Sequence, residues 1–186
     1  MTQERQDRDI FRATALPATT ATTATTATHD TGLLLLRLVV GLSMVGHGTM
    51  KLFGWFGGPG LTATGKGFSM AGYPAGDAMA VIASLSETLG GLGLALGLLT
   101  PLAGAALTGT FINVLDVRGL SAYFPPKGVE LEVVLFAAII ALTLTGPGRF
   151  SADHHLPVLR ESRPRSSWLA LLLGAVAGFV VLFLRD

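Results

Sequence analysis

Two stretches without a single Asp, Glu, Lys or Arg, residues 88–115 and 166–184, constrain this chain more than any other feature. A helix needs about 20 apolar residues to cross the hydrocarbon of a bilayer, and runs of this kind have that reach. Composition agrees: half of the 186 residues are hydrophobic and 13% are charged, where a soluble domain carries about 25% charged residues. A water-exposed surface could not be covered from so small a supply. The formal charge of +1, with no basic face interleaved with aromatics, argues against nucleic acid and leaves the lipid bilayer as the expected partner. Cysteine is absent. That removes disulfides, thiolate nucleophiles, iron–sulfur clusters and covalent haem attachment, so any redox chemistry must use a bound or diffusible cofactor.

Polar punctuation divides the chain. Residues 1–31 open with mixed charges and continue as a Thr/Ala run, a composition that cannot bury a core, and they are read as a disordered tail facing the side of synthesis. The first apolar stretch begins only at Gly32, which does not fit a secretory signal peptide. Residues 32–156 are read as a four-helix membrane domain with segments at 32–53, 77–99 and 102–118 and a fourth that must begin near Gly128 to span about 30 Å. Thr100-Pro101 forces a tight hairpin between the second and third segments. A Gly-rich loop of about 20 residues, long for a connection, separates the first two and carries Trp55 and Phe56, aromatics suited to the membrane–water interface. Residues 157–167 are a basic linker, and residues 168–186 a fifth transmembrane helix containing Gly174-xxx-Gly178, a packing spacing. The expected fold class is all-α: a transmembrane four-helix bundle with an additional C-terminal transmembrane helix. Seven basic residues (Arg5, Arg8, Arg12, Arg149, Arg160, Arg163, Arg165) fall on one side and five (Lys51, Lys66, Arg118, Lys127, Arg185) on the other. The imbalance predicts a cytoplasmic N-terminus.

With that topology, His47, Lys51, Asn113, Asp116, Arg118, Glu130 and Glu132 fall in the outer halves of their helices and Glu87 near mid-membrane. They could line one polar cavity that opens outward. Ionisable side chains inside a bilayer are costly unless they face water or one another, which makes each a functional candidate by default. Arg37, His47 and Lys51 share one face of the first helix, within about 80° of each other, although Arg37 and Lys51 could instead snorkel to the headgroups. Gly41, Gly46 and Gly48 leave space beside that face for a neighbouring backbone or a flat ligand. Glu87 must be neutralised by a cation on another helix, by a ligand or by its own proton, and Lys51 or His47 is the natural partner. Asn113 and Asp116 share a face at i, i+3. Glu130 and Glu132 point apart, and both suit a helix N-terminus. The catalytic candidates are His47 and Glu87, and the ligand-binding candidates are Arg37, Lys51, Asp116 and Glu130. His29 lies in the tail and His154 and His155 lie across the membrane from His47, so a bis-histidine haem is not expected. No metal-ligand spacing, Walker loop, Rossmann fingerprint or GxSxG occurs.

The order Leu36-Arg37-Leu38, Gly41, Gly46-His47-Gly48 and Lys51-Leu52 before a Gly/Phe loop resembles the opening of the DoxX family of small membrane proteins. Glu87 followed by Gly90-Gly91-Leu92 and Gly97-Leu98-Leu99-Thr100-Pro101, then Gly146-Pro147-Gly148 with Ser151 and Asp153, extends the resemblance over residues 32–156. It implies a four-helix transmembrane bundle and a link to membrane redox complexes, including thiosulfate:quinone oxidoreductases and oxidative-stress assemblies. It also directs attention to Arg37, His47, Lys51, Glu87 and Glu130. Where family members often carry a histidine in the third helix, this chain has Asn113 and Asp116. The leading expectation is a non-autonomous redox subunit with no intrinsic cofactor, a quinone ligand and a redox partner protein, with self-association into a homo-oligomer as a further option. The alternatives are a proton-coupled or small-solute transporter and a non-catalytic anchor for a soluble enzyme.

Overall fold

A computed structural model describes residues 18–124, 126, 128–156 and 164–185. Among them the chain is all-helical with no strand: α1 (Ala18–Phe53), a 3-10 turn (Trp55–Gly57), α2 (Gly60–Met70), α3 (Gly76–Leu96), α4 (Thr100–Arg118), α5 (Glu130–Thr145), α6 (Ala152–His155) and α7 (Pro164–Phe183). Three helical stretches are long and apolar enough to cross a membrane: Ala27–Phe53 of α1, Gly76–Leu96 and Arg165–Phe183 of α7. The expected helices at 77–99, 102–118 and 168–184 correspond to α3, α4 and α7. α5 starts two residues after Gly128, and its first turn holds Glu130 and Glu132, where acids complement the unpaired amide groups.

Two elements depart from the sequence reading. α1 reaches back to Ala18, so the Thr/Ala run from that point is helical rather than a tail; alanine is the strongest helix former and the helix needs only to be extended from its apolar part. Residues 1–17 of the expected tail, and most of the linker at 157–163, lie outside the described residues. Second, the long loop contains α2. Its three internal or flanking glycines, Gly60, Gly65 and Gly67, hide its helical character from a propensity reading.

α1 packs along α3, α3 along α4, and α4 against both α5 and α7. Small residues set these spacings. A Cβ at Gly41 would strike the backbone of Gly91 and Ala95, and one at Gly48 would strike Thr88 and Ser84, so α1 and α3 touch main chain to main chain. The glycines expected to make room for a backbone or a flat ligand therefore admit the α3 backbone at Gly41 and Gly48, while Gly46 has open space. Val40, Met44, Leu94, Leu107, Ile139 and Leu142 form the core between helices, with Phe111 and Phe136 stacked at 5.8 Å. Leu35, Val39, Leu42, Leu172, Leu173, Phe179 and Phe183 remain exposed. On a soluble protein such a surface would aggregate; on helices of this length it is the lipid-facing side.

Candidate functional site

Lys51 ends the last turn of α1, and Glu87 lies at the middle of α3. Gly48 lets the two helices approach at that level, and Lys51, three residues further along, projects on the same side as the contact. Its Nζ donates to Glu87 Oε1 at 2.5 Å. Glu87 is 3% exposed and Lys51 27%, so the carboxylate is sealed in protein while the ammonium reaches out of it. The second carboxylate oxygen, Oε2, has no hydrogen-bond partner among the described residues.

Lys51 lines a cavity of about 530 Å³ bounded by α2, α3, α4, α7 and Tyr73. Its walls are mostly small or apolar: Ala63 and Phe68 from α2, Ile82 and Ala83 from α3, Ala106 and Val114 from α4. Polar groups enter at few points. Tyr73 donates its hydroxyl proton to Asn113 Oδ1 at 2.9 Å, and Asn113 Nδ2 donates to the carbonyl oxygens of Gly109 and Gly178, each at 3.0 Å. Burial pushes the Tyr73 hydroxyl pKa up, while the nearby positive charge of Arg185 pulls it down. Arg118 also lines the cavity, pairs with Glu132 at 3.0 Å and donates to the Gly128 carbonyl.

The candidates chosen from sequence separate into three groups. Lys51 and Glu87 come together as expected. Arg37 lies about 21 Å from Lys51 along α1 at helical rise, and it serves another purpose. It is 1% exposed, and its guanidinium donates to the carbonyl oxygens of Pro147 and Phe150. Beside it Asp153 accepts from Leu99 N (2.8 Å), Thr100 N (3.0 Å) and Thr100 Oγ1 (2.9 Å), which caps α4 from the opposite end of the sequence segment. Arg37 and Asp153 thus clamp α1, the α3–α4 turn and the chain after α5, and snorkelling does not describe Arg37. The third group stays outside the cavity. His47 is exposed: it precedes Gly48 by one residue, which turns it about 100° away from the α1–α3 contact. Asp116 pairs with Arg185, and Glu130, half-buried, has no side-chain hydrogen bond or ion pair among the described residues, its backbone N–H donating to Tyr123 O.

Sequence reasoning missed Tyr73, Arg185 and Asp153 as organising residues. Asp153 had one signal, its place after Gly146-Pro147-Gly148; Tyr73 and Arg185 had none, because their partners are distant in the chain. Among the described residues no cluster of three or more His, Asp or Glu side chains could hold a metal ion.

The family model of DoxX matches residues 32–115. The match covers a little under half of the chain and supports membership of the DoxX family. The matched segment runs from α1 almost to the end of α4 and contains both Lys51 and Glu87, while Asp116, Glu130 and α7 lie beyond it. No curated protein and no solved structure matches the chain. Together with the three helices long and apolar enough to cross a membrane, the match supports an integral membrane protein.

Proposed function

We propose that this DoxX-like protein is a membrane subunit of a redox system that takes a quinone-type ligand from the lipid phase, with Lys51 and Glu87 at its polar end and a partner protein supplying or removing electrons. One observation carries the reading: a lipid-facing bundle holds a cavity of about 530 Å³ with mostly apolar walls, and a lysine backed by a buried carboxylate lines it. That is the chemistry a ring with carbonyl oxygens and an apolar tail requires. A bound quinone supplies two-electron redox chemistry. Lys51 Nζ then donates a hydrogen bond to a carbonyl oxygen and is the group placed to pass it a proton. Glu87 holds the ammonium in position. Small and apolar groups from α2, α3 and α4 exclude water around the ring. In this proposal α1, α3, α4, α5 and α7 all cross the membrane, the N-terminus is cytoplasmic, and the cavity opens on the other side.

The test is binding of a ubiquinone analogue with a decyl tail to purified protein. A charge-assisted hydrogen bond is worth about 1.5–3 kcal/mol, so Lys51→Met should weaken affinity about 10- to 100-fold. Glu87→Gln should weaken it less, and His47→Ala should leave it unchanged. Equal affinity in the native protein, Lys51→Met and Glu87→Gln would remove the site.

A further inference from the structure

The C-terminal helix lies beyond the residues that carry the family match, and it does more than add a membrane crossing. Ala177, Gly178 and Val181 of α7 face the same cavity as Lys51. The helix is held there by close backbone contact: a Cβ at Gly174 would strike Ala105, and one at Gly178 would strike the backbone of Gly109. Packing would account for those two glycines. It does not account for the polar fastening around the cavity. Asn113 bridges α4, the Gly178 carbonyl of α7 and the Tyr73 hydroxyl. Further along, Arg185 pairs with Asp116 and stands over the Tyr73 ring, 5.7 Å from its centroid. Every one of these fastenings joins α7 or α4 to an element that bounds the cavity, while the opposite face of α7, with Leu172, Val176 and Phe179, is bare and apolar.

From this we infer that α7 is a wall of the ligand chamber, and that Ala177 and Val181, by being small, set the width of the occupant it admits. The inference deepens the ligand-site reading and rests on it for the occupant. If α7 were absent or displaced, the cavity would be open to lipid along that side and Lys51 would lose its apolar enclosure. Ligand in the chamber touches α7, so occupancy must shield Val181 and leave Val176 untouched.

The chain contains no cysteine, which makes a single introduced thiol a clean reporter. Val181→Cys and Val176→Cys, in the full chain in liposomes, would be labelled with N-ethylmaleimide with and without the decyl ubiquinone analogue, whose fully substituted ring resists thiol addition. Binding of the analogue would be measured on the same samples. At about ten times the dissociation constant, labelling at 181 should slow about tenfold, while labelling at 176 does not change. Binding without protection at 181, or with equal protection at both positions, would overturn the wall and leave the Lys51–Glu87 site standing. Failure of the native protein to bind would overturn the site, and the wall with it. Ala177→Phe gives a second reading that requires no thiol: the added ring occupies the chamber, so binding should weaken about tenfold with an unchanged melting temperature. Unchanged affinity in a folded Ala177→Phe variant would also refute the inference.

Discussion

Replacing Lys51 with methionine keeps the length and apolar stem of the side chain and removes only its charge. The perturbation leaves Glu87, at 3% exposed, without a cation. Breaking a fully buried pair costs about 3–5 kcal/mol. Lys51 is 27% exposed, and the hydration it retains discounts the figure to about 2–3 kcal/mol. For a chain of this size 1 kcal/mol moves the melting temperature by about 2–4 °C, so Lys51→Met should melt about 5–10 °C below the native protein in the same detergent. Glu87→Gln should cost less, about 1 kcal/mol, because a freed lysine at this position can turn its ammonium to water while a buried carboxylate cannot. The double variant should be less destabilised than the sum of the two, with a coupling of about 1–2 kcal/mol. Thermal unfolding followed by tryptophan fluorescence, backed by the binding assay, measures all three. If Lys51→Met and Glu87→Gln both stay within about 0.5 kcal/mol of native and add without coupling, the pair is a solvated contact and the reasoning about the chamber's polar end is wrong.

Asp153→Ala should be among the most destabilising single changes, at about 3–4 kcal/mol, because it strips the cap from α4 and leaves three donors unpaired beside Arg37, both of those on Thr100 buried; a variant melting within 2 °C of native would show that water replaces the carboxylate, given the scale of about 2–4 °C per kcal/mol. Gly48→Leu should separate α1 from α3 and abolish ligand binding together with stability, read by melting temperature and by loss of the native peak on size exclusion; native-like behaviour would contradict the backbone contact. Tyr73 keeps its proton to higher pH in the folded protein than in the unfolded chain, because burial disfavours tyrosinate. Between those two points the folded state binds more protons, so this residue's contribution to stability is fully present below the ordinary tyrosine value, about pH 10, and is lost as pH rises from there through the raised value of the folded state. Arg185→Gln removes a positive charge that favours tyrosinate and should move the Tyr73 step of an ultraviolet titration further up, and Tyr73→Phe should delete that step. A downward movement in Arg185→Gln would show that Arg185 does not face the ring.

Much of the membrane architecture was legible without coordinates. Uncharged runs, Pro101 after Thr100 and the acidic start at Glu130 mark helices by rules that depend on neighbours in sequence, and α3, α4, α5 and α7 begin and end close to where those rules put them. α2 was not legible, since its glycines lower local helix propensity and it holds its form by packing on α3.

By itself the sequence determined that this chain belongs in a bilayer, and that Glu87, set in an apolar helix, must be neutralised, with a cation from α1 as one of the ways; both follow from the cost of transferring charge out of water, which any fold must meet. Which cation answers is a tertiary matter. His47 and Lys51 are one helical turn apart and equivalent on paper, but the close contact at Gly48 sets the rotation of α1 against α3, and that rotation brings Lys51 to Glu87 and turns His47 outward. The same holds for the cap on α4: Leu99, the residue in the capping position, has no side-chain oxygen, and the carboxylate that serves arrives from Asp153 only because the chain after α5 folds back beside Arg37. Charge and length act locally and can be read along a line, whereas pairings between distant residues depend on how the helices are turned and set against one another, which packing alone decides.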